Sequence, residues 1–253
     1  MGSSQMEGYQ IPQRKIAAAL LNNLFDGSKY VYNIGVSGHN FYTVANNFER
    51  AVKYYHPEQY VVIEIGSVQF DTRQLEDVLN YQVKWLFLES NIGGVRGFLR
   101  SSLLYKIPYI RLIRKQIDSL ERKTRPNNTI ETNKTSITED YTQNLLAVIS
   151  RLRQTCADND VTPLIFYHPH LLLNKDGSVS ANTDDEYLAT FKNACDTNDV
   201  LFVDMTDAFI SAYKMRHVLP HGFLNTAVGT GHLNKNGHAI IAAELFKHIQ
   251  EQP

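Results

Sequence analysis

A serine that could do chemistry stands at the start of the chain. In MGSSQMEGYQIPQ, the order Gly2-Ser3-Ser4 offers a hydroxyl in a G-x-S turn. Such a hydroxyl is a poor nucleophile until a positioned imidazole removes its proton. Met-Gly-Ser-Ser is also a leader that cloning vectors commonly leave behind, so Ser4 has two readings that later segments must separate. Three of those segments follow apolar runs: Ser37-Gly38-His39-Asn40, Gly66-Ser67-Val68-Gln69 and His168-Pro169-His170. A fourth, GTGHLNKNGH, puts His232 just ahead of the last helical pattern.

Something must hold these segments together. Apolar runs of strand length recur at Val31–Val36, Val61–Ile65, Trp85–Glu89, Pro163–Tyr167 and Val200–Met205, between helical stretches such as IAAALLNNL and EDYTQNLLAVISRLRQTC. Alternation of this kind predicts an α/β fold, a central parallel sheet covered by helices on both faces. In such a sheet, ligands gather beyond the carboxyl ends of the strands, which is where the polar segments fall. Asn234 or Asn236 caps the final helix, GHAIIAAELFKHI. Residues 91–139 break the rhythm with a basic amphipathic stretch and a polar run; a surface helix and loop inserted into one domain spanning 1–253 is the expected arrangement. A second surface loop is expected at 174–186, with a turn at Asp176-Gly177.

Composition narrows the function classes. With Lys+Arg 25 against Asp+Glu 26, the net charge of -1 leaves no electrostatic footprint for nucleic acid. No apolar run reaches the length of a membrane-spanning helix, so a soluble chain is expected. Cys156 and Cys195 sit in matching contexts, CADNDV and CDTNDV, each between a helix and an apolar run. That placement predicts two thiols buried against the sheet rather than a disulfide or a metal pair.

The order of motifs resembles the SGNH (GDSL-type) hydrolases: G-x-S near the start, NIGVSG, a strand ending in Gly66, then His232 followed by N-x-x-G-H before a terminal helix. The resemblance spans nearly the whole chain. It implies a flavodoxin-like three-layer α/β/α sandwich that carries out acyl transfer without cofactor or metal. Ser4 would be the nucleophile and His232 the base, with the backbone N–H groups of Ser4 and Gly38 in the oxyanion hole. The substrate would be a small-molecule or glycan ester, such as an acetyl ester, and the product would be released by hydrolysis or O-acyl transfer. The continuation of the chain past Gln5-Met6-Glu7-Gly8 into a helix follows the family's pattern, favouring a real motif over a leader. The family has a strand before this turn, and here that strand is expected to be missing before Gly2, an extracytoplasmic protein being implied if a segment was removed.

Three departures stand against the family pattern. Ser3 takes the place of an aspartate, Val68 that of an oxyanion-binding asparagine, and Gly229 that of the aspartate that orients the histidine. Gln69 is the nearest side chain able to replace the missing donor. Gly229 and Thr230, through backbone carbonyls or the Thr230 hydroxyl, or Asp204 or Asp71 through a carboxylate, could orient His232. Asn40, His168, His170 and Asn225 are candidates for substrate contact. Each has a plainer reading: His168 and His170 as ordinary loop residues, Asp204 as a cap for the next helix, and His221 to Asn225 as a rigid approach to His232. His238 is expected to pack or cap within the last helix. Loss of both Asn and Asp leaves a silent glycan- or partner-binding member as the alternative, with a doubly wound ligand-binding protein unrelated to the family as a third reading.

Overall fold

In chain order the elements are α1 (Ser4–Glu7), a 3-10 turn (Gln13–Lys15), α2 (Ala17–Phe25), α3 (Phe41–Tyr55), β1 (Tyr60–Ile65), α4 (Glu139–Ala157), β2 (Thr162–Tyr167), β3 (His170–Leu173), β4 (Val179–Asn182), α5 (Asp185–Thr197), β5 (Leu201–Asp204), α6 (Thr206–Arg216) and α7 (Lys235–Gln250). This is a computed structural model, and it describes residues 1–66, 75, 78–79, 139–183 and 185–251. They belong to one unit, Met1–Asn80 with Ile137–Pro253; a second unit, Tyr81–Ser136, lies outside the described residues, and with it the run Trp85–Glu89 and most of the segment 91–139.

Three expected runs form the parallel sheet β1-β2-β5. The run Val31–Val36 does not become a regular strand. Asn22 exchanges side-chain hydrogen bonds with both backbone groups of Val31, and Asn33 accepts from the Gly35 N–H while donating to Met6 O, so asparagine side chains satisfy groups a ladder would have used. Only Gly35 bridges, in parallel, to Gly2. Met1 and Gly2 in turn pair with β1: the Met1 N donates to Val62 O at 2.6 Å and Glu64 N–H to Met1 O at 2.9 Å. Two residues therefore occupy the first-strand position expected to be missing. The order across the sheet is the irregular segment 31–36, then Met1–Gly2, then β1, β2 and β5, a flavodoxin-like arrangement with its switch point between Met1–Gly2 and β1.

Alternation along the strands sorts the core into two layers. Ile63, Ile65, Ile165 and Tyr167 pack under α3, α4 and α5; Leu164, Phe166 and Val203 pack under α2, α6 and α7. Cys156 and Cys195 are free and buried, as their contexts predict, and burial pushes both thiols up, Cys156 to about 12. The two junctions also close alike: Val161 N–H donates to Cys156 O and Val200 N–H to Cys195 O, both at 3.0 Å, after an aspartate in the left-handed region. Asn234 is the cap of α7, accepting from the N–H groups of Asn236 and Gly237. Among the described residues, no helix is long and apolar enough to cross a membrane.

Candidate active site

The chain turns from Gly2 directly into α1. Ser3 caps this short helix, its Oγ accepting from Gln5 N–H, and Gly8 closes it with a left-handed φ of 66°. Ser4 is thus the first helical residue, raised beyond the carboxyl end of the sheet at its switch point. The last loop brings His232 to it from the other end of the chain: His232 Nε2 lies 2.9 Å from Ser4 Oγ. In the tautomer that accepts from the Ser4 hydroxyl, Nε2 is bare and Nδ1 carries the proton. The two residues on which the motif reading turned are in hydrogen-bond contact.

Beside this pair lies a cleft of about 250 Å³, lined by residues 3–5, 39–42 and 64–66 and by His170. Asn40 contributes to the lining while its side chain also caps α3 by accepting from Thr43 N–H. Gly38 sits just outside the lining, exposed, in a turn closed by His39 N–H donating to Val36 O, with φ +86°. Neither the Ser4 N–H nor the Gly38 N–H donates to an acceptor among the described residues. Val68, Gln69 and Asp71 lie outside the described residues.

Around His232 the expected orienters are arranged for other work. The Thr230 hydroxyl donates to Ala227 O at 2.8 Å, Gly229 is buried with φ +73°, and Asp204 Oδ1 accepts from Thr206 N–H at the start of α6. Among the described residues no carboxylate pairs with the His232 ring. Asn225 is at an exposed turn, away from the cleft lining.

One sequence expectation is corrected. His168 is not a substrate contact: it is 0% exposed and its Nε2 pairs with Glu64 Oε1 at 2.9 Å. His221, at the start of the approach to His232, is also buried, its ring 4.0 Å from that of His170 and 5.6 Å from that of His168. Burial, then the neighbouring histidines, pushes its pKa down to about 2; the same causes, in the same order, lower His170. His170, half-buried at the cleft wall, is therefore held toward the neutral form, able to donate or accept a hydrogen bond. His238 packs inside, with Nδ1 accepting from Ala17 N–H at the start of α2. No group of three or more His, Cys, Asp or Glu among the described residues is arranged to hold a metal ion.

Two further residues shape the site and carried no motif. Gln5 Oε1 accepts from Leu233 N–H at 2.6 Å, tying the Ser4 turn to the histidine loop. Glu64, 2% exposed, accepts from Ser3 N–H at 2.7 Å. Burial alone would raise its carboxyl; the hydrogen bond and charge of His168, with the Ser3 N–H, outweigh that and hold it below the usual range. The available signal was a lone acid inside the apolar run VVIEI, a position that demands partners.

No protein-family model and no curated protein sequence matches the chain. Solved structures do. An acetyl xylan esterase, AlAXEase, is similar over 98% of this chain and 96% of its own at 14% identity, with a TM-score of 0.51. LAE5, an alpha/beta hydrolase enzyme from the metagenome of Lake Arreo, Spain, is similar over 97% of this chain and 91% of its own at 16% identity, with a TM-score of 0.50. A member of the lipolytic G-D-S-L family from Veillonella parvula gives 9% identity over 99% and 96%, with a TM-score of 0.49. The first two likenesses run nearly the full length of both chains, and the fold is the one the resemblance to SGNH (GDSL-type) hydrolases implies.

Proposed function

We propose that this protein is a serine esterase of the SGNH type, moving a small acyl group from an ester through Ser4 and His232. The contact of 2.9 Å between Ser4 Oγ and His232 Nε2 carries this reading. Ser4 Oγ attacks the acyl carbon as its proton passes to His232; the bond to the leaving alcohol breaks and that proton goes to the departing oxygen. Water, or a second hydroxyl in a transferase, then attacks acyl-Ser4 and gives its proton to His232; the bond between the acyl carbon and Ser4 Oγ breaks, the acid or new ester leaves, and His232 returns that proton to Ser4 Oγ. The N–H groups of Ser4 and Gly38, which donate to no acceptor among the described residues, are the proposed oxyanion donors, each such donor being worth roughly 3 kcal/mol. Gln69 is the proposed third donor. The small cleft, about 250 Å³, suits a short acyl group, and His170 and Asn40 on its wall suit a hydroxylated alcohol portion such as a sugar. The structural likeness to AlAXEase, an acetyl xylan esterase, is the reason to begin with acetylated carbohydrate.

The test is labelling by a fluorophosphonate together with release of acetate from 4-nitrophenyl acetate and acetylated xylo-oligosaccharides. Ser4→Ala is expected to lose labelling and at least about a thousandfold of turnover. Labelling that survives Ser4→Ala moves the nucleophile elsewhere; a folded wild type that binds the sugar but neither labels nor hydrolyses is the silent binding protein.

A further inference from the structure

Glu64 is the only buried acidic residue among those described, and it is buried where the chemistry is proposed. An ionised carboxylate left there without partners would be strongly destabilising, so its contacts matter. One oxygen, Oε2, accepts from the N–H of Ser3, the residue that caps α1 and precedes Ser4; the other, Oε1, pairs with His168 Nε2. The backbone on both sides is glycine for a reason of space. A Cβ on Gly2 would stand 2.7 Å from Glu64 Oε2, and one on Gly66 would stand 2.9 Å from Oε1 and 2.9 Å from the His168 ring. His168 is in turn fixed between aromatic rings, with centroids 6.3 Å from Phe166 and 6.2 Å from Phe209. A rigid core histidine therefore holds a carboxylate, and the carboxylate holds the turn that carries the nucleophile.

We infer that Glu64, backed by His168, is a positioning residue for Ser4: its grip on the Ser3 N–H sets where the Ser4 hydroxyl stands relative to His232. This rests on the esterase reading above. Glu64 moves no proton in the reaction. Its effect is geometric, and a displacement near 1 Å at a nucleophile costs on the order of a hundredfold in rate.

The experiment measures fluorophosphonate labelling of Ser4, kcat and KM for 4-nitrophenyl acetate, melting temperature, and hydrogen exchange of the Ser3 amide. Glu64→Gln keeps the reach and an acceptor oxygen, and is expected within about fivefold of wild type. Glu64→Asp keeps the charge but retracts it by one methylene, and should lose about tenfold; Glu64→Ala should lose about a hundredfold. The losses should fall on labelling and kcat, with KM within about twofold, since substrate binding is not what Glu64 supports. Glu64→Asp or Glu64→Ala labelling at the wild-type rate overturns the inference, as does Glu64→Gln being as slow as Glu64→Ala. If Glu64→Ala does not fold, the Gln and Asp pair decides alone. If wild type itself is not labelled, the esterase reading has failed, and the contact is judged by exchange. A Ser3 amide slow in wild type and at least about tenfold faster in Glu64→Asp supports it, whereas one that exchanges alike in both overturns it.

Discussion

On the Ser4 side of the cleft, the chain is held by residues far away in sequence. Met1 N and O and Ser3 N–H bond to Val62 O, Glu64 N–H and the Glu64 carboxylate of β1, and Val36 N–H donates to Gly2 O. On the His232 side the ties are mostly local: Phe223 N–H to Thr226 Oγ1, the Thr230 N–H and hydroxyl to Ala227 O, Gly222 N–H to His232 O. That loop has five consecutive exposed residues, Leu224 to Val228, and left-handed glycines at 222, 229 and 231. The proposed nucleophile is anchored to the sheet and the proposed base is carried on a self-contained loop, where no carboxylate among the described residues pairs with the ring. Alignment of the pair depends on the few bonds that cross between the two sides.

The largest expected effect removes one side altogether. His232→Ala should lower kcat/KM for 4-nitrophenyl acetate by about a thousandfold or more while leaving the fold intact, because its ring is only partly buried. A loss under tenfold would mean that another group takes the Ser4 proton.

Next comes the crossing bond. Gln5→Ala leaves Leu233 N–H, beside the buried Leu233 side chain, without its acceptor and frees the histidine loop from α1. Turnover should fall by roughly ten- to a hundredfold, with Gln5→Glu restoring most of it because a carboxylate also accepts. Equal losses in Gln5→Ala and Gln5→Glu would show that the bond does not align the pair.

How much of this was legible beforehand follows from the same contrast. The parallel sheet could be read because β1, β2 and β5 are apolar runs, and burial on both faces leaves little alternative. The meeting of Ser4 and His232 was implied by the order of short motifs, each of which carries its own turn chemistry. Glu64, Gln5 and the buried state of His168 and His221 were not legible, since each depends on a partner 53 to 228 positions away that no local pattern announces. The run Val31–Val36 misled for a related reason: its apolar residues suit a strand, while Asn22 and Asn33 take its hydrogen bonds.

A smaller effect concerns the histidines packed behind both sides. Burial, then the nearby histidines, pushes His221 down to about 2, and burial, then His168, pushes His238 down to about 4, from an ordinary 6.5. The native state therefore binds fewer protons than the unfolded chain below pH 6.5. Stability is fully present above that pH and is lost as pH falls toward 4 for His238 and toward 2 for His221. In urea unfolding at pH 6 and pH 4.5, His221→Phe should flatten the decline by up to one proton, about 1.4 kcal/mol per pH unit. An unchanged slope would mean that His221 is not held neutral in the fold.

The smallest effect is expected at Asp204, and it is the sharpest test of whether the base side lacks a carboxylate. Asp204 is exposed at the end of β5, and its Oδ1 accepts from both the N–H and the hydroxyl of Thr206 at the start of α6. Asp204→Asn keeps an acceptor oxygen for those bonds and removes only the charge near a helix N-terminus, a loss of about 0.3–1 kcal/mol. Thermal melts should therefore shift by no more than a few degrees, and kcat/KM should stay within about twofold of wild type. Asp204→Ala should cost about 1 kcal/mol more through the lost hydrogen bonds to Thr206, again without touching turnover. If Asp204→Asn instead cut kcat more than tenfold at an unchanged melting temperature, its carboxylate would be steering the His232 ring. The base side would then be tied across the sheet as the nucleophile side is, and the contrast between them would disappear.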